Sequence, residues 1–220
     1  MLDMNFGNGK TGNGKVVEES RNVTEDFTLI SASEGIDVFV TQGPEYEIRV
    51  EGDENIIDLI GTDIKDGRLK VHAIENIGRA TKMVHVSLPM VESLESSSGA
   101  DLLVRNVLEA DRLDLKASSG SDLRVEVVAN EVTAKSSSGA DLKVSGRAET
   151  LYADASSGSD IEARGLEVKN CTAEASSGAD VSVNVSDSLF ADASSGGDIS
   201  YSGDPNVETN KSVSGSVHKD

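Results

Sequence analysis

The sequence predicts an all-β fold, a single-stranded parallel β-helix (a β-solenoid), and three observations predict it. The motif Ser-Ser-Gly-x-Asp recurs six times. Its glycines, Gly99, Gly120, Gly139, Gly158, Gly178 and Gly196, stand 21, 19, 19, 20 and 18 residues apart, and a fixed period of about 20–50 residues marks a stacked repeat. Between motifs, apolar and polar residues alternate with the period of a half-buried strand rather than that of a helix. Leucine-rich repeats share the length, but their Leu and Asn framework is missing here.

Taken in order, residues 1–16 (MLDMNFGNGKTGNGKV) are polar and rich in Gly and Asn, and read as a flexible tether. Within them Gly9, Gly14 and Lys15 have phosphate-loop spacing. However, Val16 stands where Ser or Thr is needed and no hydrophobic strand precedes, so nucleotide binding is rejected. Residues 17–92 read as an N-terminal β cap with a first, irregular coil. SEGIDVFV (33–40) aligns with SSGADLLV (97–104), which places Gly35 and Asp37 over Gly99 and Asp101. EYEIRVEG, GRLKVHA and TKMVHVSLP read as further cap strands.

Residues 93–220 read as the regular coils, continuous with the cap, so that 17–220 form one domain. In the second copy Leu113, Leu115, Ala117, Ser119, Ser121, Leu123 and Val125 share the inward parity. The expected core continues through Val132, Leu142, Val144, Leu151, Ile161, Val181, Val183, Leu189 and Ile199. Each coil is expected to have two short inward-facing strands meeting at the SSGxD corner, then a looser return such as ARGLEVKN (163–170). At the corner the inner wall admits only small residues, as at Ser98, Ala100, Ser119 and Ser121. The glycine supplies φ > 0, and the Asp accepts backbone N–H groups. Ser214-Gly215-Ser216 lies one period beyond Gly196 without the Asp.

Composition narrows the function. With 39 acidic against 20 basic residues the net charge is −19, which argues against nucleic acid or an anionic membrane as partner. The single Cys171 excludes an internal disulfide and reads as a buried thiol, and three scattered histidines (His72, His85, His218) leave little for metal chemistry. No stretch approaches the roughly 20 apolar residues of a membrane span. No signal segment is present, so the chain is either cytosolic or has lost a targeting segment.

In register, Asp101, Asp122, Asp141, Asp160, Asp180 and Asp198 form a column at about 5 Å spacing, with a repulsion of about 1 kcal/mol per neighbouring pair. Ca2+ is the metal reading this column invites. A single column supplies few of the roughly six to eight oxygens Ca2+ takes, so a solvated ladder with no metal and no other cofactor is preferred. The serines lack a histidine to activate them, and no Gly-x-Ser-x-Gly elbow exists. Tyr152 and Tyr201 lie on different coils, and the best basic cluster is Arg105, Arg112 and Arg124.

The Gly35-Ile36-Asp37 element, the VHVSLP strand (84–89) and the chain of SSGxD corners resemble the auto-transporter adhesin, head GIN domain family of bacterial envelope proteins. The resemblance runs from about Val17 to the C-terminus, with Asp37 standing where the family has Asn. It implies a single-stranded β-helix exported to the cell envelope (periplasm or outer-membrane surface), often as a lipoprotein, with residues 1–16 as the tether below an upstream lipid anchor. It carries over no catalytic residue. Together these readings give a non-enzymatic adhesin-like or scaffold module that holds a glycan or protein partner along its faces. The alternative is a polysaccharide-active lyase or hydrolase on the same fold.

Overall fold

The computed structural model describes residues 9–212 and 214–220. It is a β-solenoid of about seven turns with coils of about 19 residues, 68% strand. Among the described residues the one helical piece is a short 3-10 turn at Ile57–Leu59. The cap comprises β1 (Val16–Arg21), β2 (Leu29–Ala32), β3 (Asp37–Gln42), β4 (Glu47–Asp53), β5 (Ile60–Lys65), β6 (Arg68–Ala73) and β7 (Lys82–Leu88). The coils follow as β8 (Ser93–Ser97), β9 (Asp101–Val104), β10 (Leu108–Ser118), β11 (Asp122–Ser137), β12 (Asp141–Ser156), β13 (Asp160–Ser176) and β14 (Asp180–Ser194). The last coil holds β15 (Asp198–Gly203), β16 (Asn206–Lys211) and β17 (Ser216–Lys219).

Stacking is parallel and in register. Leu123 pairs with Leu102 below and Leu142 above, and Val132 with Leu151. Strands β2 and β3 join the same stack: Ile30 partners Leu94 and Val38 partners Leu102. Gly35 and Asp37 therefore sit over Gly99 and Asp101 as the alignment required. β6 and β7 add a further parallel rung on β2 and β3, and beyond it the cap changes direction. β4 runs antiparallel to β7, β1 antiparallel to β4, and β5 antiparallel to β6.

Every residue of the expected core, from Leu113 to Ile199, is buried to 5% exposure or less, within one hydrophobic cluster that begins at Phe27. Branched aliphatic side chains fill the legs of each coil. Alanine lines the approach to the corner, as at Ala134, Ala153 and Ala173. Few aromatics are needed because stacked rungs about 4.8 Å apart interdigitate side chains of uniform size.

Three expectations are corrected. The return of the coil is not loose: β11, β12 and β13 run 16, 16 and 17 residues without interruption from Asp to Ser. In ARGLEVKN, Ala163, Leu166 and Val168 are buried, and register shifts at Ala163/Glu167 and Val168/Asn170 absorb length differences between coils. A second bend falls where two successive residues face out, at Asn130-Glu131, Glu149-Thr150 and Lys169-Asn170.

The second correction concerns parity through the corner. Ser98, Ser119, Ser138 and Ser177 point outward and are exposed. Their φ angles are 53°, 57°, 56° and 56°, and the following glycines have φ of 64–71°. Two successive residues with positive φ make a two-residue turn of the type I′ class. It is closed at Ser97–Ala100 by Ala100 N–H donating to Ser97 O at 3.1 Å. Such a turn takes two residues out of the alternation, so the inner wall passes directly from Ala117 to Ser121. The turn N–H groups are satisfied by carbonyls rather than by Asp side chains: Gly99 donates to Ser119 O, and Gly120 to Ser138 O. At the far end Ser216 pairs with Asp198, which puts Ser214, not Gly215, level with Gly196.

The third correction is the tether. From Lys10 onward the segment is bound to the cap: Lys10 and Gly12 N–H groups donate to Asn76 O and Arg79 O, and Glu54 N–H donates to Lys15 O. Residues 1–8 of the expected tether lie outside the described residues.

Hydroxyls inside the corner follow a pattern. In the Ser96/Ala100 and Ser136/Ala140 corners the upstream serine donates to the carbonyl across the turn, at 2.7 and 2.8 Å. In the Ala117/Ser121 corner the hydroxyl is on the other side, accepting from Ser118 N–H and donating to Ser96 O. Each of these corners buries a single hydroxyl.

Candidate functional site

The corner carboxylates do form a column, and it has seven members. Asp37, Asp101, Asp122, Asp141, Asp160, Asp180 and Asp198 are successive register partners, ended by Met83 on one side and Ser216 on the other. Burial, then the charges of Asp122 and Asp37, hold the Asp101 carboxyl above its ordinary range, with Arg124 opposing. Asp160 is raised by burial, then Asp180, Asp141 and Glu162. Asp37 is raised by burial against the pull of Lys82. At the far end His218 Nδ1 lies 3.3 Å from Asp198 Oδ1. Among the described residues no three His, Cys, Asp or Glu side chains group to hold a metal ion.

Two residues further along each strand runs a different row. Arg49, His85, Phe39, Leu103, Arg124 and Lys143 are successive partners across six strands. Phe39 and His85 stack with ring centroids 5.2 Å apart and planes at 16°. Of the three arginines expected to cluster, Arg105 and Arg124 share this face. Arg112 lies on β10 and pairs with Glu131 at 2.9 Å. Phe39 and His85 escaped the sequence reading because they come from strands 46 residues apart and only the parallel β3–β7 register joins them. The Gly35-Ile36-Asp37 alignment, extended one strand further, was the available signal.

On the other leg, next to the second bend, the outward rows are polar. Thr150, Asn170, Ser188 and Asn206 are partners, as are Tyr152, Thr172, Phe190 and Glu208. Asn170 Oδ1 accepts from the Ser188 hydroxyl at 2.6 Å. Burial, then the charges of Glu174 and Asp154 and a hydrogen bond to Glu174, push the Tyr152 hydroxyl up to about 12. Tyr201 lies on β15, away from this row. Behind the row Cys171 is buried, and burial alone pushes its thiol up to about 12. Hydroxyl, amide and aromatic groups repeated at strand spacing can hydrogen-bond and pack against an extended ligand. Nothing in them activates a nucleophile.

A sequence profile described as "Putative auto-transporter adhesin, head GIN domain" matches residues 26–205. The chain belongs to this family. No curated protein matches it. Among solved structures, a "putative adhesin" from Bacteroides fragilis is similar with a TM-score of 0.89 at 20% identity, covering 96% of this chain and 100% of that one. A "putative adhesin" from Parabacteroides merdae gives 0.75 at 20% identity, covering 96% and 98%. A "putative lipid binding protein" from Parabacteroides distasonis gives 0.79 at 16%, with 96% and 98% covered. At these identities the likeness shows the head GIN fold alone. The family is of adhesin type, which points to an extracellular or envelope location. Among the described residues no helix is long and apolar enough to cross a membrane.

Proposed function

We propose that the chain is a non-enzymatic, adhesin-like module of the cell envelope that holds a glycan or protein partner along the outer faces of its solenoid. The observation that carries this reading is the in-register repetition of outward-facing side chains: seven exposed or half-buried carboxylates along one corner, and Thr150, Asn170, Ser188 and Asn206 along the second bend. Equivalent groups repeated at about 4.8 Å suit an extended or multivalent ligand, where many weak contacts add through effective concentration. An active site needs one place unlike the others, and the regular coils offer many alike.

The reading needs no cofactor, and the Asp ladder serves as a solvated anionic edge. Export as a lipoprotein, with the segment before Val16 joining the solenoid to a lipid anchor, is part of the same proposal and rests on the family resemblance. The test is retention of the full chain on immobilised glycans and on envelope-protein fractions. Specific, saturable retention of one class supports the adhesin-like reading; no retention of any class removes it.

A further inference from the structure

We infer that the outer face of the cap around Arg105 is a binding subsite for a saccharide unit carrying a carboxylate, which names the ligand class within the adhesin-like reading on which it rests. Arg105 follows β9, and its guanidinium carbon lies 4.5 Å from the Phe39 ring centroid, a geometry that orients a cation without neutralising it. Phe39 is backed in turn by the stacked His85 ring. In the regular coils the comparable pair is Lys135 over Tyr152 at 5.6 Å, an ammonium without the planar fork of a guanidinium. In a chain with 39 acidic residues, no carboxylate among the described residues lies at ion-pair distance from Arg105, whereas Arg49 on the same face is matched by Glu18 at 2.9 Å.

The arginine is also held in place before any ligand arrives. Its own N–H donates to Val40 O at 2.8 Å. The next residue, Asn106, exchanges two hydrogen bonds with the Gln42 backbone, at 3.0 and 2.9 Å. The Gln42 side chain reaches on to Glu109 N–H at 2.7 Å. A loop so clamped presents its side chain from a rigid scaffold, which lowers the ordering cost of binding.

Arg105, Phe39, His85 and Arg49 line one side of a cavity of about 250 Å³, and Thr41, Ser87 and the carboxylate of Glu47 line the other. That is below the roughly 300–1,000 Å³ of sites for drug-sized molecules, and suits a single ring. Its chemistry is complementary to a sugar acid: an unmatched guanidinium for two parallel hydrogen bonds to a carboxylate, and on the other rank the Thr41 and Ser87 hydroxyls and the Glu47 carboxylate for ring hydroxyls. Strand pairing aligns Thr41 with Ser87 and Phe39 with His85, so these groups stand in two adjacent ranks.

The test uses the full chain on an array of uronate- and sialic-acid-bearing oligosaccharides with their neutral counterparts, and in parallel on phosphatidylglycerol vesicles. Acidic glycans should be retained over neutral ones. Arg105→Ala should weaken that retention about tenfold or more, since hydrogen bonds between charged groups are worth about 1.5–3 kcal/mol. Arg105→Lys should restore it only in part, and Arg112→Ala on the other leg should leave it unchanged. Equal retention of neutral glycans, or loss of vesicle binding in place of glycan binding on Arg105→Ala, would overturn the subsite. Glycan or protein retention that ignores Arg105→Ala removes this subsite and leaves the adhesin-like reading standing. No retained ligand of any kind removes both.

Discussion

Asp101 and Asp122 are register partners in adjacent coils, and the Asp122 charge adds to burial in holding the Asp101 carboxyl above its ordinary range. The same relationship joins Asp160 to Asp180 and Asp141. A carboxyl raised in the folded state binds its proton more tightly there than in the unfolded chain. Its stabilising contribution is fully present below the unfolded value of about 3.9 and is lost as pH rises through the raised folded value. The Tm at low ionic strength should therefore fall as pH rises from about 4, through the raised folded values, toward pH 7. Asp101→Asn combined with Asp160→Asn should shrink the fall. A Tm that does not fall over this range, or a fall that the two substitutions leave unchanged, would show that the ladder does not couple to stability.

The corner turn separates conformational strain from steric clash. At Gly120, φ is 64° and an added Cβ would meet nothing within 4 Å. Gly120→Ala should still cost about 1–2 kcal/mol, the penalty of left-handed backbone for a residue with a side chain. Ser119, at φ 57°, already bears that penalty, so Ser119→Gly should be neutral or mildly stabilising. Chemical denaturation of both variants checks the pair. Equal destabilisation by the two would contradict the I′ geometry.

Ser121 is fully buried and its hydroxyl both accepts from Ser118 N–H and donates to Ser96 O. Ser121→Ala leaves those groups without this partner and should cost about 1–3 kcal/mol. In a domain of this size that lowers Tm by several degrees, at about 2–4 °C per kcal/mol. Ser119→Ala, two residues away but exposed and already at positive φ, should change little. Thermal melts of the two variants side by side provide the comparison.

Cys171 should resist modification. Its thiol is buried, and burial pushes it up to about 12, so thiolate is scarce at neutral pH. A thiol reagent should label it only on unfolding, with a rate that follows denaturant. Rapid labelling of the native chain would mean that the wall between β12 and β14 opens.

The solenoid and its core were legible because two periods reinforce each other: the SSGxD spacing sets the rung, and the alternation sets which side faces in. Leu123, Val132 and Val183 were assignable on that basis alone. The alternation could not show where it breaks. Ser119 shares the parity of Leu123, but two successive left-handed residues make a turn that places it outside. The same limit hid the second bend at Asn130-Glu131, which carries no glycine or proline. The Asp column was legible as a repeat in sequence. The Arg105–Phe39–His85 assembly was not, because Phe39 and His85 come from β3 and β7 of the irregular cap and Arg105 from the residue after β9, where no period predicts the partner. Nor did composition show that Lys10 and Gly12 are bound to Asn76 and Arg79, since a Gly-rich segment reads alike whether free or bound.

The central claim is that the faces bind without turning over what they hold. The direct measurement is to incubate the full chain with a panel of acidic and neutral polysaccharides, following new chain ends and retention together. The account predicts retention with no depolymerisation. Turnover that is abolished by changing one or two carboxylates would contradict it and make the molecule an enzyme.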